Sequence, residues 1–368
     1  MKITNEIQSV MSPPVSLANA LKALCPADLD LLDFSQAVPG YPPHEALIEH
    51  AISEMRNPLT HKYAPALGLP ELRQTHARQL GITTDNVAIT AGCNQAFAVA
   101  MQCLARRGRS VLLPTPYYFN HQMTLQMQGF NVIEWPCRAD MSLDWERLPE
   151  LMSEDVIAIV LVTPNNPTGY VTPPDQILRL LDYASEHSIH LVLDETYCDF
   201  VEPEHLTTVR VHPNLIRVYS FSKAYAIAGH RVGSLVAPIQ LIEQAEKVID
   251  CWAICAPRIG QHLALKGIEV AEDWVAQWRA QIAEREQVLL EVIDSLSGLQ
   301  IQASGAYFAW VRYDEPIDSV AMAQRWVSEL GILALPAHYF GSNDRAMRLA
   351  FANQDAEGIK RFGQRLSD

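Results

Sequence analysis

Long apolar runs are missing from this chain. The longest is Val156 to Val162, far short of the roughly 20 residues a membrane helix needs, so no membrane crossing is expected. The opening MKITNEIQSVMSPP lacks the apolar stretch of an export signal, so secretion is not indicated. No C-x-x-C pair occurs, and the seven cysteines are odd in number and scattered. A disulfide framework is therefore excluded and reduced thiols in a cytoplasm fit best. Cys251 and Cys255, four apart, read as ordinary buried thiols. Positive charge is also scarce. Lys and Arg number 28 against 42 Asp and Glu, a net charge of −14, whose field would repel a phosphate backbone and removes nucleic acid as a main partner. No Gly/Ser-rich linker, low-complexity tract or repeat appears, so any second domain is joined by ordinary elements. The G-x-G-x-x-G of dinucleotide enzymes, the P-loop and H-E-x-x-H are absent. The twelve histidines show no ligand spacing, so no catalytic metal is expected.

What is present is the material of a globular protein. Of 368 residues 49% are hydrophobic and 19% charged, enough chain for about two domains at about 150 residues each. Apolar, β-branched stretches read as buried strands at Asn86–Ile89, Ser110–Leu113, Asn131–Glu134, Val156–Val162, Ile189–Leu193 and Ile216–Tyr219. Helical segments lie between them, such as Gln95–Ala105 and Asp175–Glu186, the latter following Pro173-Pro174. This alternation predicts an α/β fold with a mostly parallel central sheet flanked by helices. Glu243 to Leu296 reads as long amphipathic helix with Trp274, Trp278, Ile282, Val288, Leu289 and Ile293 near one face, a spine between two domains. Short strands at Tyr307–Val311 and Met347–Phe351 then predict a smaller α+β unit that recruits the N-terminal segment.

Ligands of open α/β sheets sit beyond the carboxyl ends of the strands, and five polar clusters follow the apolar runs. They are Thr90-Ala91-Gly92-Cys93-Asn94, Pro114 to Tyr118, Thr163 to Gly169, Asp194-Glu195-Thr196-Tyr197 and Ser220-Phe221-Ser222-Lys223. Five such clusters imply one shared site. Lys223 has hydroxyls beside it and Arg231 eight residues on, which reads as an anion site next to a nucleophile. A lysine desolvated near another cation loses proton affinity and can form a Schiff base. Asp194, ending an apolar run, either caps the next turn or faces a cationic partner such as a protonated ring nitrogen.

The ordered set Asn165-Asn166-Pro167-Thr168-Gly169, Asp194 to Tyr197, Ser220 to Lys223 and Arg231, preceded by Tyr63, Gly68 and Leu72-Arg73, resembles the fold-type I pyridoxal-phosphate enzymes and, within them, the class I/II aminotransferases. The resemblance runs from about Asp33 to Phe351. It implies an aminotransferase-like fold, with a large cofactor-binding domain over 44–284 and a small domain from 1–43 and 285–368. It implies pyridoxal 5′-phosphate as cofactor, an L-amino acid and a 2-oxo acid as substrates, and a cytoplasmic homodimer with composite active sites. Lys223 would hold the cofactor as a Schiff base and later shuttle the substrate proton. Asp194 would pair with the pyridine nitrogen, Tyr197 and Asn166 with the ring hydroxyl. Ser220, Ser222, Arg231 and the amides of Cys93 and Asn94 would hold the phosphate, joined by Tyr63 from the neighbouring subunit. Tyr118 would stack on the ring, and Arg348 would bind the substrate carboxylate.

The chain also departs from the family pattern. Ala37 stands where many relatives have Gly, at a point where backbone approaches the substrate carboxylate. Tyr41, or mobility of its segment, could shape the side-chain pocket instead. Asn166 and Gly169 also suit a plain turn, with a cis bond before Pro167 frequent in the family. No second arginine for a dicarboxylate side chain is evident, leaving aromatic, basic or large neutral amino acids open. The same lysine, acid and tyrosine could support β-elimination, an oxidase-like reaction or a cyclase step. A ligand-sensing regulator would need a DNA-binding module for which too little chain precedes the family-like segment. Ser220 to Lys223 fits S-x-x-K, yet no K-T-G accompanies it.

Overall fold

The computed structural model describes residues 4–104 and 108–367. Met1 to Ile3 of the opening segment, and Ala105 at the end of the expected Gln95–Ala105 helix, lie outside them. Among the described residues thirteen strands occur in chain order: β1 (Leu32–Asp33), β2 (Val87–Thr90), β3 (Ser110–Thr115), β4 (Asn131–Pro136), β5 (Val156–Val162), β6 (His190–Asp194), β7 (Leu215–Ser220), β8 (Gly233–Val236), β9 (Leu299–Gly305), β10 (Phe308–Tyr313), β11 (Ile332–Leu333), β12 (Leu335–Pro336) and β13 (Ala346–Leu349).

Seven of them form the main sheet in the order β2-β8-β7-β6-β5-β3-β4. Every pairing is parallel except those of β8, which runs antiparallel to β2 and β7. The apolar runs of β3 and β5 are buried nearly throughout, as helices on both faces require. The expected α/β architecture, a mostly parallel central sheet flanked by helices, is therefore present. Asn86 is not in β2 but in a preceding short helical turn, where its side-chain amide donates to the carbonyl of Ala237. Asp194 and Ser220, expected just past their strands, are the last strand residues.

The expected single helix from Glu243 to Leu296 is three: Ile239–Ala253, Arg258–Val270 and Glu272–Asp294. Ile254 adopts a left-handed φ of 63° and Pro257 begins the next helix, because proline has no N–H to donate to the preceding turn. The third helix still bridges two cores. Val275 packs with the core under β2 and β8, whereas Ile282, Leu289 and Ile293 pack against the small sheet. Residue 284 thus lies inside one uninterrupted helix.

The small sheet has the order β12-β13-β10-β9, all antiparallel. β10 begins after Tyr307 and β13 ends before Phe351, one and two residues inside the expected limits. β1 pairs with β11, and Phe34 meets Phe362 with ring centroids 5.2 Å apart, so the N-terminal segment belongs to this core. His50 and Glu54 stand one turn apart on the helix Glu45–Met55, and His262 meets them from Arg258–Val270.

Candidate active site

Parallel strands end on a common edge, and there the carboxyl ends of β5, β6 and β7 surround a cavity of about 150 Å³. Register does this. Val162 pairs with Asp194, Asp194 with Val218, and Ser220 with Gly233, so these strand ends lie side by side. Lys223, one turn into the short helix Phe221–Ala224, is carried over the same edge. The cavity is lined by Cys93, Asn94, Tyr118, Asn166, Asp194, Tyr197, Ser220, Ser222, Lys223 and Arg231. Tyr63 is not among them. It stands 74% exposed, held at its carbonyl by Arg258 at 3.1 Å.

Asp194 is buried, yet its carboxyl stays below the ordinary carboxylate range. Burial pushes it up, but His121 Nε2 at 3.1 Å from Oδ2 and the Thr196 amide, donating to Oδ1 at 2.9 Å, outweigh that. His121 itself is wedged against Phe97, with centroids 4.1 Å apart. Sequence reasoning missed His121 and Thr196. The signal was available for the first, which lies three residues past Tyr118 on one helical turn.

Lys223 has its amine pushed down from 10.5 to about 8, first by burial and then by the positive charges of Arg231 and Arg348. It donates to the carbonyl of Ala37. Tyr197 is driven above its ordinary value by burial, then by Tyr118, and Tyr118 is pushed up to about 12 by burial. Both phenols are therefore neutral donors.

One side of the same cavity suits an anion. The helix Cys93–Leu104 opens here, so its first amides have no acceptor within the helix. Arg231 reaches the carbonyls of Ala228 (3.1 Å) and Ala91 (3.4 Å), leaving its charge without a carboxylate. Two glycines make the space. A Cβ on Gly92, whose φ is +86°, would fall 2.3 Å from Arg231, and one on Gly233 would fall 2.7 Å from the Cys93 amide nitrogen. Ser222 Oγ is buried with no hydrogen-bond partner, an orphan that a bound oxyanion would satisfy.

An adjoining cavity of about 180 Å³ shares Tyr118, Asn166, Tyr197 and Lys223 and adds Arg348 with an apolar wall of Val15, Ala18, Val38, Phe119 and Leu335. Arg348 is buried on β13 between Phe308 and Phe340, 4.9 and 5.0 Å from their ring centres. Burial lowers it to about 10. It donates to Asn166 Oδ1 at 2.9 Å and to the Ser35 carbonyl, neutral acceptors only. Ala37 lines this cavity through the strap 35–38, which Asn353 ties down by a 2.9 Å bond to the Gln36 carbonyl.

Tyr41, expected at the side-chain pocket, lines neither cavity. It stacks on Trp278 at 4.0 Å and donates to the Lys223 carbonyl at 3.1 Å, so it braces the lysine from behind. The cis bonds precede Pro116 and Pro164, not Pro167. Gly169 has a turn role: its φ is +78° and a Cβ would meet the Phe308 carbonyl oxygen at 2.2 Å.

The chain as a whole is similar to known proteins. Over 374 residues the chain is 28% identical to an aspartate/prephenate aminotransferase of Thermus thermophilus, spanning 96% of each. Over 327 residues it is 28% identical to an aromatic aminotransferase of Arabidopsis thaliana, spanning 84% of this chain and 82% of that one. A solved structure of Thermus thermophilus aspartate aminotransferase with maleate superposes at a TM-score of 0.92 with 27% identity over the whole of both chains. Residues 30–366 match the family profile described as aminotransferase class I and II. With nearly the whole length matched, the chain belongs to the class I and II aminotransferases.

Proposed function

We propose that this chain moves an amino group from an L-amino acid to a 2-oxo acid with pyridoxal 5′-phosphate held in the first cavity. The observation that carries the reading is one space collecting three unlike groups: an amine of lowered proton affinity, a buried ionised carboxylate, and a guanidinium beside a helix N-terminus. The residues fit that cofactor. The orphaned Ser222 hydroxyl, Ser220, Arg231 and the amides of Cys93 and Asn94 suit its phosphate. Asp194 suits its ring nitrogen, Tyr197 and Asn166 its ring hydroxyl, and Tyr118 its ring face.

When bound, the cofactor supplies an electron sink for charge released at the substrate Cα. Lys223 would hold it through Nζ, and its amine would take and return the substrate Cα proton. Asp194, fixed by His121 and Thr196, would offer its charge to the ring nitrogen. Arg348 offers a guanidinium with no ion-pair partner to the substrate carboxylate, and the rings on both sides of it exclude water. Among the described residues, Arg348 and Lys223 are the only cations lining the second cavity. A dicarboxylate side chain would lack a partner there, and an aromatic or large neutral one would meet Val15, Ala18, Val38, Phe119 and Leu335.

The subunit pairs with a second copy in this reading. Ile48, Ile52 and Met55 form one exposed helix face leading to exposed Leu59 and Tyr63, and Tyr63 reaches the partner's phosphate site. Seven unpaired cysteines accord with a cytoplasmic setting.

The test mixes purified protein and cofactor with phenylalanine, methionine, leucine or aspartate and a 2-oxo acid, and measures both products. A new amino acid formed in step with the consumed donor, faster for the apolar donors than for aspartate, is expected. Ammonia or peroxide without a new amino acid would overturn the reaction assigned, and a preference for aspartate would overturn the substrate class.

A further inference from the structure

Outside the lining of either cavity, three side chains converge between two packed helices. His50 and Glu54 lie on Glu45–Met55, and His262 lies on Arg258–Val270, which packs along it. One ligand atom from each is within 4.8 Å of the other two. Glu54 Oε2 stands 3.5 Å from His262 Nε2, and the two imidazole rings have centroids 6.1 Å apart at 68°. Zinc with bonds of about 2.1 Å sets its tetrahedral ligand atoms about 3.4 Å apart. Small χ rotations close the remaining gap.

An ordinary ion pair explains this cluster less well. His262 Nε2, 3.5 Å from Glu54 Oε2, is shielded from solvent yet makes no hydrogen bond, which leaves its lone pair free for a cation. The carboxylate, by contrast, is already oriented: Thr60 Oγ1 donates to Oε2 at 3.0 Å and Asn57 Nδ2 at 3.2 Å. Metal-ligating carboxylates carry such support.

We propose that this chain binds one divalent cation of the zinc class through His50, Glu54 and His262, with water completing the shell. Two imidazoles and one carboxylate favour zinc, cobalt or nickel over magnesium or calcium. The ion clips the two helices together beside the segment 57–63. It has no part in the chemistry at Lys223.

The full chain, stripped by a chelator and titrated with cobalt(II), tests this. One equivalent per chain is expected, with visible d–d absorption, no thiolate charge-transfer band, and displacement by zinc. Zinc raises the unfolding temperature. His50→Gln and His262→Gln each weaken cobalt binding more than about tenfold and abolish the thermal shift while circular dichroism stays unchanged. Thr60→Val, outside the ligand set, weakens binding several-fold and guards against a histidine variant that fails to fold. Cys251→Ser leaves binding unaltered. Absence of saturable binding, binding indifferent to the histidine substitutions, or a thiolate band removed by Cys251→Ser would overturn the proposal.

Discussion

The amine of Lys223 offers the sharpest quantitative prediction. Burial, then Arg231 and Arg348, lower it from 10.5 to about 8. At pH 7 about one chain in ten then carries the free base, against about one in three thousand for an ordinary lysine, a gain of about 300-fold in reactive amine. The assay is the initial rate of imine formation between cofactor-free protein and pyridoxal 5′-phosphate, followed by absorbance from about pH 6 to about pH 10. The rate rises with pH through a midpoint near 8. Arg231→Gln removes the larger of the two charge effects and moves that midpoint upward, less than the whole way to 10.5 because burial dominates. Linkage gives the companion sign. The unfolded chain holds this proton up to 10.5 and the folded chain only to about 8, so Lys223 destabilises the fold below pH 8. That loss, about 3 kcal/mol, disappears as pH rises from about 8 to about 10.5. A rate midpoint near 10.5 in the parent, or one unmoved by Arg231→Gln, would refute the reasoning.

Gly92→Ala forces a Cβ into Arg231 at a left-handed φ, and cofactor affinity measured by fluorescence titration falls more than about tenfold, with about 1 kcal/mol of stability lost. Asp194→Asn keeps the shape and removes the charge; the protein still binds cofactor, and kcat drops by about a hundredfold in steady-state assays. Arg217→Leu strands Glu195, its partner at 2.5 Å with both side chains buried. Urea denaturation then reads a loss of about 3 to 5 kcal/mol, and adding Glu195→Leu recovers most of it.

Much of the site was legible because its residues are fixed by local sequence. A strand that ends in Asp194 or Ser220 delivers those side chains to the carboxyl edge whatever the remainder of the chain does, so clusters after apolar runs could be read as one cavity. Helix breaks were harder. The run from Glu243 is amphipathic almost throughout; Pro257, with Ile254 at a positive φ, divides it once, and Ala271, which ends one helix and precedes the next, divides it again without a breaker residue. Short strands such as β8 carry too few residues for periodicity to speak.

The sequence alone determined the α/β alternation, the buried runs and the order of polar clusters, since period and turn chemistry are local properties. Tertiary structure decided what distance along the chain conceals. His121 meets Asp194 across a gap of many residues, Tyr41 turns from pocket to brace, and His262 meets His50 and Glu54 from some two hundred positions away. Each depends on how helices seat against one sheet, a packing outcome that no local spacing encodes.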